Sequence, residues 1–353
     1  MTTTTTSSTT TSTKPRFRFS WSALLTLVLA VVLLVLAFRG VDWAELLDTV
    51  RQGRLEYIVL AFWIMTVSYF LRSLRWRTLL SAQKTLHPLT TFWGTCVGYL
   101  GNYFLPARAG EFIRSGLIAR RSGLNVLYIL ATALTERIID AALLVLIIIV
   151  LLPMLLADAV PDWLLSARQA MLVVGFGGLL GLLVAPRLEG LLLNILHRLP
   201  LPESLRARLQ NLLEKFLLGM RAFQHPARGA IFLLLTVIIW SLDVVVAMQV
   251  ANAFDIVLTP LQILFLLAAL GLSSALPSTP GYLGIYQFVA VSVLTPFGVE
   301  QSQALVFILA FQAMTYVLVL VWGLLGLWRL NLGLSDADAE STPTDSALSA
   351  PEV

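Results

Sequence analysis

Six stretches of this chain, at about 20–38, 55–71, 127–152, 169–185, 230–251 and 303–328, are apolar for the length a helix needs to cross a hydrocarbon core of ~30 Å. Hydrophobic residues make up 58% of the 353 and charged residues 12%, well under the roughly 25% charged of a soluble domain. The fold class expected is an all-α polytopic membrane protein. The net charge of +4 is no signature of nucleic-acid binding, because the basic residues follow a topological pattern. No nucleic-acid partner is expected.

That pattern sets the orientation. Lys14, Arg16 and Arg18 precede the first span and place the N-terminus in the cytoplasm. Followed through the six spans, every Lys and Arg falls on the cytoplasmic side except Arg39, Arg51, Arg54 and Arg168 outside and Arg137 within a span. Both termini are therefore expected in the cytoplasm.

Two further apolar regions, about 90–125 and 261–295, are each broken near the middle by proline and glycine. The halves 261–276 and 281–295 are too short to span alone, so each region reads as a re-entrant helical hairpin. The charge pattern makes the first hairpin enter from the cytoplasm and the second from the opposite face. Span, hairpin and span then occur twice, over 55–152 and 230–328, as an inverted repeat of the kind that places a binding site at the midplane. Leu105-Pro106 and Leu276-Pro277 both open L-P-x-x-x-G, closing at Gly110 and Gly281, an offset of 171 residues. The G-Y-L-G-x-Y match at 98–103 and 281–286 implies 183 and is read as convergent turn chemistry.

The breaks carry the chemistry. Pro106 removes a backbone donor and Gly110 tolerates strained dihedrals, so a helix can restart near Ala109 with free N–H groups that suit a phosphate or carboxylate. Arg108 lies at that break and Arg114 follows, and guanidinium groups match phosphate with paired donors. The functional reading is a lipid-headgroup site at Asn102, Arg108, Glu111 and Arg114, with Pro277, Gly281 and Gln287 from the second break. The plain alternative is that Arg108, Arg114, Arg120 and Arg121 mark a cytoplasmic edge.

The third span contains T-E-R-I-I-D. Glu136, Arg137 and Asp140 lie ~15–20 Å above its start by helical rise, and Asp243 sits at similar depth in the fifth. Ionisable groups at such depth are costly and face a partner or a wet cavity. One arginine against three carboxylates leaves excess negative charge, which a protonated or solvated acid would relieve. Two readings stand: an ion or proton relay, or a structural pair such as Arg137 with Asp243.

The remainder is quieter. Residues 186–228 form a cytoplasmic connector with seven Lys and Arg against three Glu. Within it, Leu205, Leu209, Leu212, Leu213, Phe216, Leu217 and Met220 form a helical stripe, for a helix lying on the membrane or packed on the bundle's end. Cys96 has no partner for an internal disulfide. His87, His197 and His225 stand singly, so neither a metal site nor any cofactor is expected. Residues 1–19 and 331–353 read as disordered cytoplasmic tails, the first a poor signal peptide.

N-x-x-L-P-A-R-A-G-E-x-x-R at Asn102 to Arg114, E-R-x-x-D at Glu136 to Asp140, and L-P-x-x-P-G-x-x-G at Leu276 to Gly284 resemble the lysylphosphatidylglycerol synthase transmembrane, or flippase-like, family. The resemblance covers about residues 20–330. It implies a transmembrane lipid-handling domain, which in the family's best-known member is joined to a soluble synthase domain. This chain is expected to lack that domain, ending at Val353. Where relatives carry Glu, this chain has Gln287, which cannot titrate. The implied function is a lipid transporter or flippase in a bacterial plasma (inner) membrane. It would move an anionic or lipid-linked substrate between leaflets: a phospholipid, a polyprenyl-phosphate-linked glycan or a hopanoid-type lipid. A separate lipid-modifying enzyme is a possible partner. The chain is expected not to be an enzyme, with a membrane glycosyltransferase or an accessory subunit of envelope-lipid biosynthesis as the alternatives.

Overall fold

The computed structural model describes residues 43–105, 109–155, 184–199, 202–220, 225–274 and 280–340, with isolated helical positions at 32–36 and 172–180. The expected first and fourth spans and both terminal tails thus lie largely outside the described residues. Among the described residues the fold is helical, with no strand. The helices are α1 (Trp43–Gln52), α2 (Leu55–Leu80), α3 (Pro88–Phe104), α4 (Gly110–Ser122), α5 (Val126–Leu155), α6 (Glu189–Arg198), α7 (Glu203–Met220), α8 (Pro226–Ala253), α9 (Pro260–Ser273), α10 (Ile285–Leu294) and α11 (Gln301–Glu340). Four are long and apolar enough to cross a membrane: α2, α5, α8 and α11 over its first 30 residues.

One boundary differs from expectation in a way that matters. The second span was expected to end at residue 71, where arginines interrupt the apolar run. Instead α2 continues to Leu80 through Arg72, Arg75 and Arg77. Arginine is a good helix former, so an interruption in hydropathy is no interruption of the backbone. At the other end of the chain, α11 carries helical backbone past Asn331 to Glu340.

Local chemistry explains where the short helices begin. Pro88 and Pro260 each occupy the first helical turn, where a missing N–H costs nothing. His87 accepts from the Leu89 amide at 3.3 Å, which makes it a helix cap. Thr259 and Gln262 cap α9 reciprocally. The α3 and α4 backbones touch where Gly101 meets Gly110: a Cβ on Gly110 would stand 1.9 Å from the Gly98 carbonyl oxygen.

Helix starts recur at a near-constant interval. Leu55 and Pro226 are 171 residues apart, and Pro88 and Pro260 are 172 apart. The 183-residue interval of the G-Y-L-G-x-Y match does not recur in these starts. Helices α2 and α8 run antiparallel: Arg54 donates to the Asn252 carbonyl at 2.8 Å, Ser68 to Asp243 at 2.7 Å, and Arg75 to Thr236 at 3.2 Å. Small residues, Ala61, Ala247 and Ala251, are buried in the core around these two helices, as close helix packing in lipid favours. Partners are exchanged between the two halves: α3 packs along α11, while α9 packs along α5. The outward faces of α8 expose Ile231, Leu234, Val237 and Ile238, an apolar surface suited to lipid.

The connector helix α7 packs on α5. Leu217 is buried, and Gly219 approaches the Ala131 backbone so closely that a Cβ would stand 2.7 Å from it. Its N-terminal half keeps Leu205 exposed.

Candidate functional site

Packing α2 against α5 and α8, and α4 against α5, brings six charged side chains into a closed ring of alternating sign. Arg75 pairs with Asp140 and Glu136, Arg114 with Glu136 and Glu111, and Arg137 with Glu111 and Asp140. Each cation meets two anions and each anion two cations.

The ring has a tight side and a loose side. Arg75 is buried, and its Nη1 and Nη2 grip the two Asp140 oxygens at 2.7 and 2.8 Å. It also donates from Nη2 and Nε to Glu136 Oε1 at 2.9 and 3.2 Å. Such a two-pronged fork is among the stronger charge-assisted arrangements. Arg114 is buried too, its guanidinium 4.4 Å from the centre of the Trp76 ring, a cation–π contact in a desolvated setting. Arg137 is different: its side chain is 31% exposed, it stands 3.2 Å from Glu111 and 4.0 Å from Asp140, and its Nε finds no hydrogen-bond partner among the described residues.

A fourth pair flanks the ring. Asp243 accepts from Ser68 and is paired with Arg72, both side chains mostly buried. Two sequence expectations are corrected here. The structural reading offered Arg137 with Asp243 as its example, but Asp243 belongs to Arg72 and Arg137 to Glu111 and Asp140. The expected excess of negative charge is also absent from this cluster. Arg72, Arg75, Arg114 and Arg137 face Glu111, Glu136, Asp140 and Asp243, four against four. The error came from ending the second span at residue 71, which left Arg72 and Arg75 among the cytoplasmic charges. Their three-residue spacing, which puts both on one helix face, was the signal that could have found them.

The loose side lines a cavity of about 270 Å³. Its lining combines Glu111, Arg137, Asp140, Arg72, Asp243 and Asn102 with apolar side chains, among them Leu144, Val246, Leu267, Leu270 and Phe311. Tyr69, Tyr99, Tyr103, Tyr282 and Tyr286 complete it. Sequence reasoning singled out none of these tyrosines as lining a site.

Of the expected site residues, Asn102, Glu111, Arg114, Glu136, Arg137 and Asp140 converge: Asn102 joins through its amide, 3.4 Å from Glu111. Gly281 and Gln287 belong instead to the turn that leads into α10 and to its first residues. Gly281 has φ +72°, its carbonyl accepts from Tyr316 and Gln312, and Gln287 binds Gln312 and the Gly284 amide. Gln287 is thus a buried strut for that turn. Tyr103, at the end of α3, meets the rings of Tyr282 and Tyr316 edge to face. Pro106, Arg108 and Pro277 lie outside the described residues. Among the described residues, no group of three or more His, Cys, Asp or Glu is arranged to hold a metal.

Long apolar helices, paired short helices and a charge-balanced buried cluster beside a cavity define a multi-pass helical membrane protein with a buried polar site. The chain belongs to the family of the lysylphosphatidylglycerol synthase TM region, which it matches over residues 23–323. It is also similar to the protein named Glycosyltransferase AglD of Haloferax volcanii, at 23% identity over 347 residues. That match covers 89% of this chain and 55% of the relative, so the chain spans about half the relative's length.

Proposed function

We propose that the protein carries the polar head of a membrane lipid, or of a lipid-linked substrate, across the bilayer through the cavity between its two span-hairpin-span units. The observation that carries this reading is the cavity's mixed lining. Charged groups of the ring and apolar side chains meet in one space, as an amphiphile's head and upper chain would require. The antiparallel α2 and α8, the constant helix interval and the exchanged hairpin partners support an inverted repeat with two re-entrant hairpins. In that arrangement, rocking of one unit against the other exposes the cavity to either face. The ring, anchored on its buried side by Arg75, holds the first hairpin in register while its loose side meets the substrate.

A second reading, a membrane glycosyltransferase or its accessory subunit, is favoured by the name of the Haloferax volcanii relative. Two assays on purified protein separate them. Liposomes containing the protein should allow fluorescent phospholipids to exchange between leaflets, read by dithionite bleaching of the outer leaflet, faster than protein-free liposomes. No acceleration for phosphatidylglycerol or a polyprenyl phosphate, together with sugar transfer from a nucleotide sugar to a polyprenyl phosphate, would overturn the carrier reading in favour of the enzyme.

A further inference from the structure

The ring's asymmetry poses a question that a purely structural network would not. Arg75 is gripped by two carboxylates at 2.7–3.2 Å, yet the cation most open to the cavity, Arg137, is held loosely. Its guanidinium is out of hydrogen-bond line with Glu111 at 3.2 Å and only at the edge of contact with Asp140. Oε2 of Glu111, the oxygen toward Arg114, is likewise buried without a hydrogen bond, as are Nε of Arg114 and Oδ1 of Asn102. Unmade hydrogen bonds of buried charged groups cost free energy, so the run from Arg114 through Glu111 to Arg137 is the poorly satisfied part of the ring, and Arg75 holds the well-satisfied part.

Resting on the lipid-carrier reading of the cavity, we propose that Arg137 is a binding site for a singly charged phosphodiester, and that Glu111 is the internal anion the phosphodiester displaces. An incoming phosphodiester offers Arg137 two acceptor oxygens in the geometry a guanidinium prefers. Glu111 then gives up Arg137 but keeps Arg114, three residues along the same helix, and Asn102. At Arg137 itself one monoanion replaces another, and the cluster as a whole gains a single negative charge, the least an ionised headgroup can bring. A diphosphate would bring excess negative charge beside Asp140 and Asp243, so the site discriminates by headgroup charge. Because Glu111 sits near the start of α4, its release from Arg137 also loosens one tie between the first hairpin and α5. Glu111 is therefore a specificity-determining residue acting as a built-in competitor.

The test is counter-intuitive: removing a residue from the site should strengthen binding. Purified protein in uncharged detergent is titrated calorimetrically with short-chain phosphatidylglycerol, farnesyl diphosphate and inorganic phosphate. Glu111→Gln should bind phosphatidylglycerol roughly tenfold tighter than the parent, the scale of one charge-assisted hydrogen bond no longer competed for. Arg137→Gln should weaken it by at least about tenfold, and Arg137→Lys by less. If Glu111→Gln fails to fold, Glu111→Asp, which withdraws the carboxylate by one methylene, should shift affinity in the same direction by less. Unchanged or weaker phosphatidylglycerol binding by a folded Glu111 variant overturns the proposal, as does full binding by Arg137→Gln. Farnesyl diphosphate binding as tightly as phosphatidylglycerol overturns the single-charge preference, and inorganic phosphate binding as tightly overturns the lipid source. Tighter binding by Glu111→Gln alongside no lipid exchange by the parent would leave this site standing and remove only the carrier reading.

Discussion

Arg72 on α2 and Asp243 on α8 pair between two antiparallel helices, and they are 171 residues apart, the interval that separates the starts of those same helices at Leu55 and Pro226. Under the proposed inverted repeat these would be equivalent positions carrying opposite charges. The pair ties the two helices together without leaving net charge at the junction. Breaking the pair from one side strands a mostly buried charge, at a cost of ~3–5 kcal/mol. Arg72→Met and Asp243→Leu should each lower thermal stability in detergent by that scale, and the double variant should recover most of it. No recovery would mean that the two residues are not energetic partners.

The ring's two sides should respond differently to loss of an arginine. Arg75→Met leaves Glu136 and Asp140 without their main buried cation, for a loss of ~3–5 kcal/mol or outright failure to fold. Arg137→Met, at a partly exposed and loosely paired site, should cost roughly 1 kcal/mol and keep the fold. Melting curves of the two variants decide this. Equal destabilisation would show that both sides of the ring bear the same structural role.

Glycine is required at Gly281 for two reasons. Its φ is +72°, and a Cβ there would stand 1.7 Å from the Tyr316 hydroxyl. Gly281→Ala should therefore destabilise by more than about 1 kcal/mol. Gly116, inside α4 with open space around it, supplies the opposite case: Gly116→Ala should stabilise by about 0.5–1 kcal/mol through helix propensity. Unfolding midpoints of the two variants should move in opposite directions.

Topology can be measured independently of function. In a Cys96→Ser background, single cysteines at Gln83, ahead of α3, and at Val257, ahead of α9, should react with impermeant reagent from opposite faces of the membrane. Labelling of both from one side would remove the inverted arrangement.

The parts of this protein that were legible in its sequence are those governed by local properties. Apolar length marks a span wherever it lies, so α2, α5, α8 and α11 were all anticipated within a few residues at most of their ends, except where α2 ran on past Arg72 and α11 past Asn331. Proline and glycine interrupt helices by their own covalent geometry, which is why the breaks after Phe104 and before Gly281 could be read in advance. The cost of charge in lipid marked Glu136, Arg137, Asp140 and Asp243 as residues needing partners. Which partners they took was decided only by tertiary packing. Arg72 and Arg75 carry the same local signature as a cytoplasmic-edge arginine, and nothing in their neighbours states that α5 and α8 will pass beside them. The closed ring draws on three helices and the cavity on more, so both exist only once those helices are packed. A one-dimensional pattern shows that a charge must be neutralised, whereas the identity of the neutralising group depends on which helix faces come together.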